Sequence, residues 1–505
     1  MPERFNLAQG LAQSARDFPD RPALIEPEGR RVSFRQAHEL AARLASVLRE
    51  RLAPGERVGI LLGQRLETAL IHHAIYRAGL VAVPIAPVLG SEAIRYRLEH
   101  ARARLLVADP QLLEARPGAA PEGLSLLPAD RLLPLAEAAR PLPIQPTAAE
   151  DPAILLYTSG TTGPPKGALL PHRVLLGHLP GFYLYSNFPE PGRPKVYWSP
   201  AEWAWAGGLL DVLLPAWHYG FTVIAHRKPR FDPEEALWLM RRFRVSHSFL
   251  FPTALKRLRA LGRLSRPLTL ESVHAGGEPL AEALIEWSRE NLGQPVNEFY
   301  GQTEANLLVG QSHLVDPLKP GSMGLPYPGH RVEVIDGEGQ PLPPGEVGEV
   351  ALRTPDPVAF LGYERDPERT RAKFRGRWLL TGDLARRDRD GYFWYVARKD
   401  DLIKVAGYRI GPAEVEAAIL SHPGVEQVAV IGVPDPERGQ RIVAFVVGEP
   451  GRDAELKERV RQRVGAHAVP SELRYLEALP VTATGKVQRH RLKALWQSEL
   501  EDGEG

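Results

Sequence analysis

The chain of 505 residues contains no cysteine. Disulfide bonds, thiolate zinc sites and cysteine nucleophiles are therefore excluded, and any thiol that takes part in chemistry must belong to a ligand. A strong net charge is also missing, because 63 Lys and Arg residues nearly balance 61 Asp and Glu residues and leave a formal charge of +2. Such a chain has no strong basic field, so nucleic acid is not an expected partner.

Long apolar runs are absent as well. No segment offers the roughly 18 unbroken apolar residues that a membrane-spanning helix needs, and the N-terminal stretch Met1–Phe5 has no apolar signal core. With 44% hydrophobic and 25% charged residues, the composition is that of a soluble globular protein. We expect a cytoplasmic protein without a membrane span, and one long enough for more than one domain.

Hydrophobic patterning predicts alternating strands and helices in the first part of the chain. Strands are predicted near residues 58–62, 81–85 and 105–108, and helices near residues 35–51, 66–77 and 92–103. This alternation indicates βαβ units, which form a parallel sheet with helices on both faces.

The last hundred residues show the pattern of a smaller α+β unit. It predicts strands at 427–433 and 442–447, a helix near 453–464, and a glycine-punctuated loop over 404–412.

The most informative stretch follows a short apolar run that ends at Leu156. It reads YTSGTTGPPKG over Tyr157–Gly167. Glycines let backbone amides turn toward an anion, hydroxyls donate further hydrogen bonds, and Lys166 adds a positive charge. The stretch is not a Walker A loop, in which Gly-Lys is followed directly by Ser or Thr. It predicts a phosphate cradle formed by Thr158, Ser159, Gly160, Thr161, Thr162, Gly163 and Lys166.

Two further stretches carry groups suited to a nucleotide. Ala275–Leu280 places a glycine pair at a strand end, where backbone can lie flat against a base. Asn297–Glu304 reads NEFYGQTE, in which Tyr300 can stack on adenine and Thr303 can donate to a phosphate. Glu304 can hold Mg²⁺ through its oxygen atoms.

Together these motifs resemble the signature motifs of the AMP-forming acyl-adenylating superfamily, which includes acyl-CoA synthetases, adenylation domains of peptide synthetases and beetle luciferases. The resemblance covers nearly the whole chain, with motifs in order from Tyr157 to Lys486, and it is nearest to the medium-chain branch of the acyl-CoA synthetases. It implies an α/β fold with a large N-terminal domain of βα-layered subdomains, residues 1–399. A small mobile α+β domain, residues 400–505, follows a hinge at Asp400.

The resemblance implies a reaction in two halves. A carboxylate attacks the α-phosphate of ATP in the presence of Mg²⁺, and pyrophosphate leaves. The thiol of CoA then attacks the carbonyl of the acyl-AMP, and AMP leaves.

Site roles also follow from the resemblance. Asp383 would grip the ribose hydroxyls, Arg398 would contact ribose and phosphate, and Lys486 would be the catalytic lysine. The implied catalytic residues are Thr158, Glu304, Arg409 and Lys486, with Glu304 as the metal ligand. The implied ATP contacts beyond the loop are Gly276, Gly277, Glu278, Pro279, Tyr300, Gly301, Gln302, Thr303, Asp383 and Arg398, and the implied CoA contacts are Gly407 and Tyr408.

The segment Val196–Gly208 is unusual because it contains three tryptophans. Two readings are open, namely core packing and an aromatic wall of an acyl pocket. The second reading gives a pocket lined by Trp203, Trp205, Gly207, Gly208 and Gly301.

Gly301 bears on the size of the acid. In acetate-selective members of the family a tryptophan at this position closes the acyl pocket. A glycine here predicts space for a medium-chain or simple aromatic acid, unless Gly301 is required for backbone geometry alone.

Other functions stay open at this stage. They are an acetate or short-chain CoA ligase, an adenylating enzyme that loads a carrier protein, a luciferase-type oxygenase, and a non-catalytic binding protein with the same fold. Carrier-loading enzymes hold an α-amine with an acidic residue in the aromatic segment, for which Glu202 is the candidate. The intact Lys486, Glu304, Asp383 and Arg398 argue against a binding protein, and a homodimer is left open.

Overall fold

The computed structural model describes residues 1–158, 164–226, 230–266, 268, 270–278, 280–405, 408–435, 438–481 and 487–503. The chain forms two compact units. The first consists of Met1–Thr158, Pro165–Val332 and Leu352–Leu379, and the second contains Glu333–Ala351 and Leu380–Gly505. The predicted boundary after residue 399 lies inside the second unit, and the hinge at Asp400 stays a prediction.

The strands have the following bounds: β1 Pro22–Ile25, β2 Arg31–Ser33, β3 Arg57–Leu61, β4 Val81–Pro84, β5 Leu105–Ala108, β6 Ser125–Pro128, β7 Pro152–Thr158, β8 Lys166–Pro171, β9 Val196–Trp198, β10 Thr222–Ile224, β11 His247–Phe249, β12 Ser272–Gly276, β13 Val296–Gln302, β14 Ala305–Gly310, β15 Leu325–Pro326, β16 Val332–Ile335, β17 Val347–Arg353, β18 Gly362–Tyr363, β19 Phe374–Arg375, β20 Trp378–Arg387, β21 Phe393–Arg398, β22 Ile403–Val405, β23 Tyr408–Ile410, β24 Val425–Asp435, β25 Gly439–Gly448 and β26 Glu472–Tyr475.

The helices have the following bounds: α1 Gln9–Asp17, α2 Phe34–Arg49, α3 Leu66–Arg77, α4 Ser91–His100, α5 Pro110–Glu114, α6 Leu132–Ala138, α7 Val174–Tyr185, α8 Ala206–Gly208, α9 Leu214–His218, α10 Pro233–Arg242, α11 Pro252–Ala260, α12 Glu282–Asn291, α13 Pro367–Ala372, α14 Pro412–Leu420, α15 Asp453–Arg463 and α16 Arg489–Gly503. A π-helical turn, Leu209–Leu213, connects α8 to α9, and a 3₁₀ turn, Lys399–Asp401, follows β21.

One sheet of the first unit has the strand order β18-β8-β7-β4-β3-β5-β6. The strands from β6 to β7 run parallel, which confirms the predicted βαβ units. The edge differs from a purely parallel sheet, because β8 returns directly from β7 and therefore runs antiparallel to it. Ser33 caps the N-terminus of α2, and its hydroxyl accepts a hydrogen bond from the N–H of Gln36 in a capping box.

The other sheet of the first unit has the order β15-β14-β13-β12-β11-β9-β10-β1-β2. Its centre is parallel from β13 to β1, whereas β14, β15 and β2 are antiparallel. Strands β12 and β13 are parallel neighbours in this sheet, and they carry the predicted nucleotide motifs. Their carboxyl ends therefore lie at the same edge of the sheet.

The second unit contains a sheet of order β23-β22-β25-β24, with β26 beside β25. One face of this sheet packs under α14 and α15, and the other packs under α16 around Trp496. The loop predicted over 404–412 is wrong in part, since β22 and β23 form an antiparallel hairpin. Ile403, Val405 and Ile410 are buried in this core, and their burial outweighs the glycines that indicated a loop.

In the parts of the chain that the structure describes, no helix combines the length and the apolar character needed to cross a bilayer.

Buried histidines make the first unit sensitive to acid. Burial lowers the pKa of His72, His73, His172 and His247 from the ordinary 6.5 to about 3, and that of His178 to about 4. The unfolded chain takes up protons as the pH falls through 6.5, whereas the native chain does so only near pH 3–4. Stability is therefore fully present above pH 6.5 and is lost toward acid, at up to about 1.4 kcal/mol per histidine and pH unit.

We therefore expect the urea midpoint to fall steeply between pH 7 and pH 5. His73 tests the cause, because neither ring nitrogen has a hydrogen-bond partner in the described part of the chain and the ring stacks on Trp217 at 5.0 Å. His73→Phe should reduce the slope of the free energy of unfolding against pH by the contribution of about one proton taken up on unfolding. His490→Phe, at an exposed histidine, is the matched control and should leave the slope unchanged. Equal slopes in all three proteins would contradict the explanation.

Candidate active site

The ends of the predicted phosphate loop are fixed by the β7–β8 pair. Thr158 lies opposite Lys166 in this antiparallel register, and Tyr157 lies opposite Gly167. The hydroxyl of Tyr96 donates to the carbonyl of Pro165 at 3.1 Å. Thr158 and Lys166 are thus brought together at one end of the sheet, while the predicted residues Ser159, Gly160, Thr161, Thr162 and Gly163 lie outside the described residues.

The glycine pair and Tyr300 lie at adjacent strand ends. Gly276 pairs with Phe299 across β12 and β13, and a Cβ at Gly276 would stand 2.6 Å from the Phe299 ring. Gly277 has a φ of +91°, which only glycine adopts readily, and no described residue lies within 4 Å of the position of a Cβ there. The backbone at Gly277 is therefore open, and the Phe299 ring lies beside the preceding glycine. Glu278 contacts the hydroxyl of Thr253 at 3.4 Å, and Pro279 lies outside the described residues.

Glu298 is a buried acid at this edge that the motif analysis missed. It is 6% exposed, its strand neighbour is Ala275, and the backbone N–H of Leu280 donates to it. Burial raises the pKa of Glu298 to about 8, so the group is mostly a neutral acid at pH 7. A neutral carboxyl can both donate and accept a hydrogen bond, which suits the polar edge of a base. A glutamate in a strand is a weak signal, and only its place two residues before Tyr300 marks it.

The carboxylate of Glu304 is held by a residue far away in sequence. The hydroxyl of Tyr363 donates to Glu304 Oε1 at 2.5 Å. Lys166 Nζ lies 5.5 Å from the centroid of the same ring. Gln302 ends β13 and pairs with Ala305, the first residue of β14, and Thr303 lies in the turn between them. The predicted cation and the predicted metal ligand are therefore neighbours around one tyrosine, which sequence analysis did not identify.

Gly301 does not face an open volume. A Cβ at Gly301 would lie 2.5 Å from the backbone nitrogen of Leu307 and 2.7 Å from Oδ1 of Asn306. The prediction that Gly301 leaves space in an acyl pocket is therefore corrected. The returning strand β14 occupies that space, and the glycine is needed for the close approach of the two strands.

The glycines of the tryptophan-rich segment have similar roles. A Cβ at Gly208 would lie 2.4 Å from the carbonyl oxygens of Ala201 and Glu202, and one at Gly207 would lie 2.8 Å from the Phe249 ring. Both permit tight packing and leave no empty volume at these positions, so the prediction that they open a pocket is also corrected. Trp203 is 2% exposed and belongs to the core, whereas Trp205 is half-buried.

A buried polar network lies directly behind Gly301. Asn306 Nδ2 donates to Asp211 Oδ1 at 2.7 Å and to His178 Nε2 at 3.1 Å. His178 Nδ1 lies 2.7 Å from the carbonyl of Val174, which can only accept, so the proton is on Nδ1 and Nε2 is the acceptor. Both amide hydrogens of Asn306 are therefore used, and its Oδ1 faces Gly301. Burial raises the pKa of Asp211 well above its ordinary value.

The predicted ribose residues are paired in the second unit. Asp383 and Arg398 lie opposite each other in the β20–β21 hairpin, and Arg398 Nη1 donates to Asp383 Oδ1 at 3.1 Å. Asp383 is 4% exposed. The pair presents a carboxylate and a guanidinium at one place, as a ribose phosphate requires.

The remaining predicted residues belong to the second unit. Asp400 lies in the 3₁₀ turn, and Tyr408 and Arg409 lie in β23. Gly407 and Lys486 lie outside the described residues. Val481 and Val487, the described residues before and after Lys486 in the sequence, form a β-bridge.

The chain has a large unit and a smaller one, and comparison with known families identifies its class. The family model described as AMP-binding enzyme matches residues 11–363, and the model described as AMP-binding enzyme C-terminal domain matches residues 414–486. The first match covers well over half of the chain. The chain therefore belongs to the AMP-binding enzyme family, and the predicted superfamily and α/β fold class are confirmed.

Individual relatives are similar along nearly the whole chain. The uncharacterized acyl-CoA ligase YtcI of Bacillus subtilis is 34% identical over 87% of this chain and 85% of its own length. The mitochondrial acyl-coenzyme A synthetase ACSM3 of Mus musculus is 31% identical over 98% of this chain and 91% of its own.

Solved structures agree with this relationship. The anthranilate CoA ligase AuaEII in complex with anthranoyl-AMP has a TM-score of 0.88 at 28% identity, with 98% of each chain covered. The o-succinylbenzoate CoA synthetase MenE of Bacillus subtilis, in complex with ATP and a magnesium ion, has a TM-score of 0.84 at 28% identity. That alignment covers 96% of this chain and 99% of the other.

The packing at Gly301 yields a direct test. Gly301→Ala should lower the free energy of unfolding by about 1–3 kcal/mol, because the added methyl group overlaps the backbone of β14. Any activity should fall for all substrates alike, without a shift in preferred size. Gly192→Ala is the control, since a Cβ there meets nothing within 4 Å in the described part of the chain. A stable Gly301→Ala protein with a changed size preference would restore the pocket interpretation.

Proposed function

We propose that the protein is an AMP-forming carboxylate–CoA ligase. It activates a carboxylic acid with ATP to acyl-AMP and pyrophosphate, then transfers the acyl group to CoA and releases AMP. The observation that carries the proposal is the meeting of Lys166 and Glu304 around Tyr363 beside the ends of the phosphate loop. Membership of the AMP-binding enzyme family and similarity to acyl-CoA synthetases support it.

The first half-reaction is a problem of charge. A carboxylate must approach a triphosphate, and both are anions, so positive groups must lie between or behind them. Lys166 lies at the base of the phosphate loop, where its ammonium would neutralise the departing pyrophosphate. Lys486 would supply the second positive charge, between the carboxylate and the α-phosphate. Thr158 and Thr303 would donate to the phosphates.

The site fits a magnesium ion held mostly by the nucleotide. Among the described residues, no group of three or more His, Cys, Asp or Glu side chains is arranged to hold a metal. Mg²⁺ is commonly bound by one or two carboxylates together with phosphate oxygens, so the single carboxylate of Glu304 suffices. When bound, the ion would neutralise phosphate charge as the bond to the leaving group breaks.

Several predicted residues carry groups suited to a nucleoside. Tyr300 would stack on the adenine, and Gly276 and Gly277 would let the backbone lie against its other side. Glu298 would hold its polar edge, and the Asp383–Arg398 pair would bind the ribose and a phosphate.

The second half-reaction needs a different arrangement of the C-terminal residues. We assign the hinge to Asp400, the CoA contacts to Gly407 and Tyr408, and a supporting role to Arg409, all by resemblance. We place the enzyme in the cytoplasm, with a small carboxylic acid, ATP and CoA as its partners.

The acid is proposed to be medium-chain or simple aromatic. Similarity to ACSM3 and to an anthranilate CoA ligase supports this choice, whereas the packing at Gly301 no longer does. A short-chain CoA ligase is the second candidate, and a carrier-protein-loading enzyme is the third, with Glu202 as its amine-binding group.

A panel of carboxylic acids tests the proposed function. We expect CoA-dependent release of AMP with acids from C6 to C10 or with benzoate, at a rate well above that with acetate. Each buried methylene contributes about 0.8 kcal/mol, so kcat/KM should rise about fourfold per carbon until the pocket is full. A preference for acetate would favour the second candidate. AMP release that ignores CoA but depends on a carrier protein would favour the third.

Replacement of Lys486 separates the two halves of the reaction. Lys486→Ala should reduce acyl-adenylate formation by about 10² or more, as expected when a key charge-stabilising donor is removed. Transfer from synthetic acyl-AMP to CoA should be nearly unchanged. Lys493→Ala, in helix α16, is the matched lysine control. Equal loss of both half-reactions would contradict the role assigned to Lys486.

A further inference from the structure

We propose that Tyr363 is a positioning residue that keeps Glu304 and Lys166 apart and correctly oriented for the magnesium nucleotide. The inference rests on the proposed function, because it deepens the role of the same site. The sequence motifs do not include this residue, and their order along the chain does not predict its role.

The backbone around Tyr363 is tied to both halves of the site. Strand β18 pairs with β8, which begins at Lys166, and Glu364 N–H donates to the carbonyl of Gly167 at 2.7 Å. On the other side, Phe360 N–H donates to the carbonyl of Glu304 at 3.0 Å. The segment 360–364 therefore joins the strand that leaves the phosphate loop to the turn that carries the predicted metal ligand.

The Tyr363 side chain is also held in place. The backbone N–H of Tyr363 donates to Thr370 Oγ1 at 2.8 Å. The Tyr363 ring contacts the Phe360 ring edge-to-face, with 5.1 Å between the ring centroids. Phe360 in turn stacks on Phe374 at 6.2 Å. Tyr363 is only 8% exposed, so its hydroxyl is a donor with little freedom to move.

A neutral donor has a clear advantage at this position. The 2.5 Å hydrogen bond orients one oxygen of Glu304 without adding a positive charge that would compete with a metal ion. The ring face holds the Lys166 ammonium by a cation–π contact. Within the described residues, no ion pair joins Lys166 to Glu304. A direct pair would neutralise both groups, and the tyrosine keeps each charge available for the nucleotide.

The experiment compares Tyr363→Phe with Tyr475→Phe. Both lose only a hydroxyl that donates to a carboxylate, since the hydroxyl of Tyr475 donates to Asp453 at 2.9 Å in the second unit. In Tyr363→Phe, the rise in melting temperature caused by ATP with Mg²⁺ should shrink, equivalent to an affinity about tenfold weaker, because the lost bond is to a charged group. The rise caused by ATP with EDTA should be unchanged. Tyr475→Phe should match the wild type in both conditions.

A double-mutant cycle with Glu304→Gln identifies the partner. Tyr363→Phe should add almost no further loss of Mg²⁺-dependent ATP binding in the Glu304→Gln background, because the two residues act through one contact. If the losses of ATP affinity in the two single variants multiply in the double variant, the inference is overturned. It is also overturned if the Tyr363→Phe protein binds ATP and Mg²⁺ like the wild type. These readouts do not need an acid or CoA. Failure of the acid panel with the expected coupling intact would therefore reject the proposed ligase reaction and keep the role of Tyr363 in nucleotide binding.

Discussion

The hydrogen bonds of residues 360–364 to strand β8 and to the turn between β13 and β14 are the constraint on which the candidate site depends. Each of the two sheets of the first unit supplies only part of the site: one carries Thr158 and Lys166, and the other carries Tyr300 and Glu304. Two side chains on separate sheets hold a fixed relation only if a third element is bonded to both. The backbone bonds to Gly167 and Glu304 provide this link, and Tyr363 extends it to the reactive groups.

The interior behind the site uses polar groups for positioning, at the cost of tolerance to acid. Asn306 has both amide hydrogens committed to Asp211 and His178, so its side chain has one orientation. That orientation places an oxygen against Gly301 and fixes how closely β13 and β14 approach. The arrangement requires a neutral His178, and protonation would turn its accepting nitrogen into a donor that faces another donor. The same condition contributes to the loss of stability that we expect in acid.

Local patterns predicted the parts of the structure that depend on near neighbours. The helix at 66–77 and the strand at 105–108 match α3 and β5, because their periodicity is strong and their ends carry clear breaks. Thr158 and Lys166 were found because both belong to one glycine-rich stretch. Other roles arise from contacts between segments that are distant in the sequence, and residue spacing does not predict such contacts. These are the roles of Tyr363, Glu298 and the Asn306–Asp211 pair. Gly301 shows a different limit, since a sequence reveals a missing side chain but not the direction in which it would have pointed.

In the second unit, residues that the sequence motifs do not include anchor helix α16, which follows the predicted catalytic lysine in the sequence. Arg489, the first residue of α16, donates to Glu416 Oε1 at 2.6 Å and to the carbonyl of Val430 at 3.2 Å, and it lies 3.7 Å from Asp401. Val481 and Val487 form a β-bridge, and Val487 lies two residues before this arginine. Asp401 directly follows the predicted hinge. Because Arg489 contacts α14 through Glu416, β24 through Val430 and the 3₁₀ turn through Asp401, it ties the start of α16 to three other segments of the second unit.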